Sequence, residues 1–125
     1  MAKTATHAAK KISRVLTVKE VMCRGLPIQI PPKLRNAVRS PFGLNFTVES
    51  KDARSRLVSA FRAGGVDCRL PTGGSFLRHP YGKPWRDQST PNADHIHDCG
   101  IFIGNAPFDL SDRMERAVKI MRATL

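Results

Sequence analysis

Within seven residues of a loop the chain sets two adjacent glycines, a hydroxyl, a guanidinium and an imidazole: Gly73, Gly74, Ser75, Arg78 and His79. Adjacent glycines allow backbone conformations closed to other residues and a close approach to a ligand. Arg78 offers a planar fork that fits a phosphate or a carboxylate. The plainer reading is a turn whose arginine lies in solvent. The stretch is not a phosphate P-loop, because no GxxxxGK followed by Ser or Thr is present. It belongs to a run of about twenty residues without periodicity, and such runs in compact domains tend to be functional or disordered. Phe76, Tyr81 and Trp85 inside it argue for order.

A second cluster, Asp94-His95-Ile96-His97-Asp98-Cys99, contains residue types that bind metals. On a helix His95 and His97 point about 200° apart, and only His95 and Cys99 share a face. Structural zinc needs four ligands in recognisable spacing, and there is no second cluster, so no metal is expected. Partly exposed histidines on a short helix are the better reading. No GxSxG, HExxH or paired-carboxylate pattern marks a nucleophile. An independent small enzyme built on Arg78, His79 and His97 ranks last, since nothing assembles a nucleophile, a base and an oxyanion site.

The elements that would position these residues can be read from spacing. Phe42, Leu44, Phe46 and Val48 alternate with smaller or polar residues, the period of a half-buried strand. Ser50 offers an N-cap to a helix with Ala53, Leu57, Ala60 and Phe61 on one face, stopped by Gly64-Gly65. Val66–Leu70 reads as a second short strand. Pro91 starts a short helix through Cys99, closed by Gly100. Ile101–Ile103 form a brief buried strand. A last helix, capped by Asp109 or Ser111, buries Leu110, Met114, Ala117, Val118, Met121 and Leu125. Its outer face of mixed charge is most simply solvated. The pattern is α+β, a small sheet with helices packed on it.

Residues 42–125 form this unit. Residues 26–41, with Pro27, Pro31, Pro32 and Pro41, cannot make a long helix and read as a connector. Residues 1–25 read as a basic extension, helical or disordered, with apolar residues from Ile12 to Met22 at amphipathic spacing. The net charge of +11 is concentrated at this end: residues 1–40 hold nine Lys or Arg against Glu20 alone. Such an arm can bind a phosphate backbone, which makes a small nucleic-acid-binding protein using residues 1–39 the alternative reading. The absence of aromatics and of any recognised module in those residues weighs against it. Cys23, Cys68 and Cys99 are odd in number and lack a CxxC pair, which fits buried thiols in a reducing compartment. No apolar run is long enough for a membrane span, and no secretory leader is visible, so a cytoplasmic location is expected.

The ordered set of motifs resembles a known family. PFGLNFTVESKDARSRLVSAFRAGGVDCRLPTGGSFLRHP is similar to the C-terminal small domain of the DegT/DnrJ/StrS sugar aminotransferases, with their "PFG" strand, helix ending in an "AGI" turn, and "RP…GN…R.P" loop. PNADHIHDCGIFIGNAPFDLSDRMERAVKIM looks like the family's closing helix, short strand and helix. The likeness covers about residues 26–125 and leans toward the branch of GDP-4-keto-6-deoxymannose 3-dehydratase and lipopolysaccharide-biosynthesis enzymes. It implies a small domain of the fold type I, pyridoxal-phosphate (PLP) dependent kind, working in a homodimer on nucleotide-linked keto-sugars. It also implies a substrate mouth along Arg69, Gly73, Gly74, Ser75, Arg78 and His79. Ser75 stands where relatives often have Asn, and His79 where they often have Gln or Asn.

In that family the Schiff-base lysine, or the histidine that replaces it, and the cofactor-phosphate ligands belong to a large N-terminal domain. None of Lys3, Lys10, Lys11 or Lys19 sits in the expected context. The resemblance therefore implies a chain that binds no cofactor and performs no transamination alone. Its partner would be a large PLP-binding domain, met in trans, or a second protomer.

Overall fold

The computed structural model describes residues 23–32, 35–36, 42–106 and 108–125. The basic arm up to residue 22, with its expected helix, lies outside the described residues.

Four strands form one sheet: β1 (Ile28–Gln29), β2 (Gly43–Val48), β3 (Cys68–Arg69) and β4 (Gly100–Gly104). Their order is β1-β2-β4-β3, with every neighbouring pair antiparallel. β2 runs against β4 from Gly43↔Gly104 to Thr47↔Gly100. Among the described residues three α-helices accompany the sheet: α1 (Lys51–Ala63), α2 (Pro91–Cys99) and α3 (Ser111–Thr124). β2 and β3 both oppose β4, so they are parallel to each other and α1 is the crossover between them. The expected α+β architecture is what the chain adopts.

Alternation along β2 turns Leu44, Phe46 and Val48 to one face, and Ile101 and Ile103 of β4 join them. Against that face α1 brings Ala53, Leu57 and Phe61, spaced for one helical side, and α3 brings Met114, Ala117, Val118 and Met121. Leu57, Phe61 and Met121 are fully buried.

The ends of α1 are written locally. The Ser50 hydroxyl accepts the Ala53 N–H at 3.1 Å, and Asp52 sits in the first turn beside the helix dipole. At the other end the Gly64 and Gly65 N–H groups bond Ala60 and Arg62 carbonyls, with Gly65 left-handed at φ +70°. Ser50→Ala is expected to cost about 1 kcal/mol of stability, read as a lower urea midpoint with an unchanged slope.

Several sequence expectations shift. The strand expected over Val66–Leu70 narrows to Cys68–Arg69, because it is an edge paired only to Ile103 and Phe102. Phe42 keeps the alternation in parity but precedes β2 and is 80% exposed. The Pro-rich connector contains β1, whose two residues pair with Val48 and Thr47 between Pro27 and Pro31. Cys23, assigned to the N-terminal extension, packs into the core. In α3 neither expected cap holds its role: Leu110 occupies the capping position, and the Asp109 carboxylate accepts from the Ser111 N–H and hydroxyl. Cys23, Cys68 and Cys99 are free thiols, and burial pushes the first two above the usual thiol range. Among the described residues no helix is long and apolar enough to cross a membrane.

Candidate functional site

The aperiodic loop is ordered by two 3₁₀ turns, Phe76–Arg78 and Pro80–Trp85. Pro80 opens the second turn, where its missing N–H is harmless. Phe76 lies between Tyr81 and Trp85, with ring centroids 5.1 and 5.6 Å away. His79 stacks on Tyr81 at 5.0 Å with nearly parallel planes. The three aromatics are each about half exposed, so they form a surface cluster rather than a second core.

Three hydrogen bonds tie this loop to α2, two from Arg78 and one from the Ser75 N–H. Arg78 reaches α2 and bonds Asp94 through Nε and Asp98 through Nη2, both at 2.9 Å. The two carboxylates are four residues apart, so they stand on one helical face. Arg54 in the first turn of α1 donates to the His97 carbonyl at 2.6 Å. The Ser75 N–H donates to His97 Nδ1 at 3.0 Å, and His79 Nε2 donates to the Gly73 carbonyl. The Nδ1 of His97 must therefore be the unprotonated nitrogen of a neutral ring.

Gly73 and Gly74 are both left-handed, at φ +79° and +58°. At Gly74 a Cβ would lie 2.1 Å from His97 Nδ1, so the imidazole occupies the space a side chain would need.

The Arg78 guanidinium holds the Asp94 carboxyl below the usual carboxylate range, helped by the Ser75 hydroxyl; the same carboxylates raise Arg78. The clasp's contribution to stability is thus complete above the ordinary aspartate value and lost as pH falls below it. Asp94→Asn is expected to flatten the acid limb of a urea-midpoint profile and lower the neutral-pH midpoint. An acid limb as steep as the parent's would contradict this.

The expected site residues divide into groups. Gly73, Gly74 and His79 line a cleft of about 230 Å³ with Arg54, Pro71 and His97. Ser75 sits behind that wall, buried. Arg78 turns to α2, which leaves it a clasp between loop and helix. Arg69 lies on β3 with a largely exposed side chain, 4.0 Å from Asp67, and is not part of the cleft wall. Arg54 was not legible as a site residue, because its partner His97 is 43 positions away. His95 and His97 separate as their spacing implied: His97 faces the small cleft and His95 the opposite side of α2.

That opposite side opens on a larger cleft of about 550 Å³ over the outer face of the sheet. Ile30, Pro31, Thr47, Ile96 and Phe102 contribute to it, and Phe102 also pairs with the exposed Phe42 at 6.1 Å. The outer sheet face itself carries Asn45 and Thr47 beside Phe102, and the apolar part of the cleft comes mainly from Ile30, Pro31, Pro71 and Ile96 around it.

Among the described residues Lys51, Lys83 and Lys119 are all exposed and line neither cleft.

The sheet and its helices follow a portion of solved structures with the PLP-dependent aminotransferase fold. The E. coli GDP-4-keto-6-deoxy-D-mannose-3-dehydratase structure with bound hydrated PLP matches 96% of this chain at a TM-score of 0.81, with 19% identity. A DegT/DnrJ/EryC1/StrS aminotransferase from Brucella abortus matches 92% at 0.75, with 10% identity. In sequence the chain is similar to the GDP-4-keto-6-deoxy-D-mannose 3-dehydratases of E. coli O55:H7, 24% identical over 87 residues, and of Yersinia pseudotuberculosis, 27% over 85. Each of these sequence matches covers 65% of this chain. No family model matches. The resemblance read from the motifs thus holds in sequence and in fold. The chain spans 22% of these curated relatives and 32% and 30% of the two solved structures.

Proposed function

We propose that this chain is the small-domain portion of a PLP-dependent nucleotide-sugar aminotransferase or dehydratase, and that it is not catalytic by itself. It completes a site with a large PLP-binding portion or a dimer partner. The observation that carries this reading is the near-complete match of the chain to a third of a 3-dehydratase, combined with an open, mostly apolar cleft beside the sheet. Residues 42–125 are the working unit, residues 26–41 its connector and residues 1–25 an extension.

On this reading the complementary portion covers the cleft at Ile30, Ile96 and Phe102. Arg69, Gly73, Gly74, Ser75, Arg78 and His79 form the mouth toward the nucleotide-linked sugar. Gly73, Gly74 and His79 face the ligand, Ser75 and Arg78 fix the loop's shape, and Arg69 stands at the rim. PLP, held by the complementary portion, supplies the electron sink for chemistry beside the sugar carbonyl.

The test is incubation of the purified chain with PLP, an amino donor and GDP-4-keto-6-deoxymannose. No product is expected. Turnover by this chain alone would overturn the non-catalytic assignment.

A further inference from the structure

We infer that the cleft between α1, the Gly73-Gly74 turn and α2 binds a phosphate-type oxyanion, with Arg54, His79 and His97 as its ligands. Its volume, about 230 Å³, admits a phosphoryl group and not a whole nucleotide. The polar side chains that wall it come from three separate elements, and all three are bases. Among the described residues no carboxylate is part of that wall; the nearby Asp94 and Asp98 are turned to Arg78.

The hydrogen bonds already present leave donors for an anion. Arg54 spends one N–H on the His97 carbonyl, of the five its guanidinium carries. His97 accepts at Nδ1, so its proton sits on Nε2 and is left to donate. The Nε2–H of His79 bonds the Gly73 carbonyl and can be shared with an anion in the cleft. The same bonds fix all three groups before any ligand arrives, which lowers the ordering cost of binding. Arg78, the cation that the sequence singles out for this task, is already neutralised, and Arg54 takes its place.

The inference deepens the functional reading above and rests on it for the ligand's origin, since a nucleotide-linked sugar carries such phosphates. Its test needs no second polypeptide, so its failure and the failure of that reading can be told apart. The full chain is titrated with inorganic phosphate, and separately with glutamate, while the imidazole nitrogen resonances of His79 and His97 are followed. Phosphate is expected to shift both saturably, and glutamate to leave them in place.

Arg54→Gln is expected to weaken phosphate at least about tenfold, the loss of one charge-assisted contact. Arg69→Gln, outside the cleft, is expected to leave phosphate affinity unchanged. Because Arg54→Gln also removes the bond to the His97 carbonyl and can loosen the fold, His79→Gln gives a second reading. It spares that bond and is expected to weaken phosphate several-fold. Shifts that never saturate, glutamate bound in place of phosphate, or full affinity in both variants would overturn the site.

Discussion

Phe61→Ala is expected to remove about 3–5 kcal/mol of stability, the range for deleting a fully buried aromatic side chain. Phe61 has no exposed surface and stands where α1 meets the sheet and α3. The other large side chains of the same core, Leu57, Met121 and Leu44, are themselves fully enclosed. Collapse is therefore limited, which places the cost toward the upper end. Since a small domain has only about 5–15 kcal/mol in total, the variant should be largely unfolded at temperatures where the parent is intact. Urea unfolding followed by far-UV circular dichroism measures the difference. A loss below about 1 kcal/mol would mean that this packing does not hold the fold.

The second large effect belongs to Gly74. Gly74→Ala puts a Cβ where the His97 imidazole lies, 2.1 Å from Nδ1, on a backbone at φ +58°. The left-handed conformation alone costs about 1–2 kcal/mol for a residue with a Cβ. Forcing an atom into occupied space adds about 1–3 kcal/mol. The local way to relieve both is to break the Ser75 N–H bond to His97 and move the loop. Gly74→Ala should therefore lower the unfolding midpoint and abolish phosphate-induced shifts of His79 and His97. Amide exchange at Ser75 should also become fast. Gly73→Ala provides the contrast: it shares the left-handed strain, but its Cβ would meet nothing within 4 Å. It should cost stability while leaving the His97 bond in place. Equal loss of that bond in both variants would contradict the steric account.

Much of the frame was legible because local chemistry wrote it. Ser50 and Gly64-Gly65 bracket α1, Pro91 and Gly100 bracket α2, and alternation from Leu44 to Val48 marks the buried face of β2. The shape of the aperiodic loop was not legible. Two short 3₁₀ turns, the second holding both Pro80 and Pro84, have no repeat long enough to register, although the aromatics did forecast order. Phe42 misled because parity continues past the end of a strand while burial does not.

The polar residues of the loop were visible, but their partners were not. That Arg78 would be taken by Asp94 and Asp98, and that Arg54 would lie beside His97, depends on how α1 and α2 dock on the sheet. No spacing within a single element encodes that arrangement. The family likeness, which compares the order of several weak signals at once, foretold the fold and not these contacts.

The most direct test of the central claim is assembly in trans. The chain is mixed with an E. coli GDP-4-keto-6-deoxy-D-mannose 3-dehydratase lacking the segment it matches, with PLP present, and followed by sedimentation. The account predicts a defined complex that Phe102→Lys on the outer sheet face abolishes without unfolding the chain. Two species that sediment independently at every concentration, or a complex indifferent to Phe102→Lys, would contradict it.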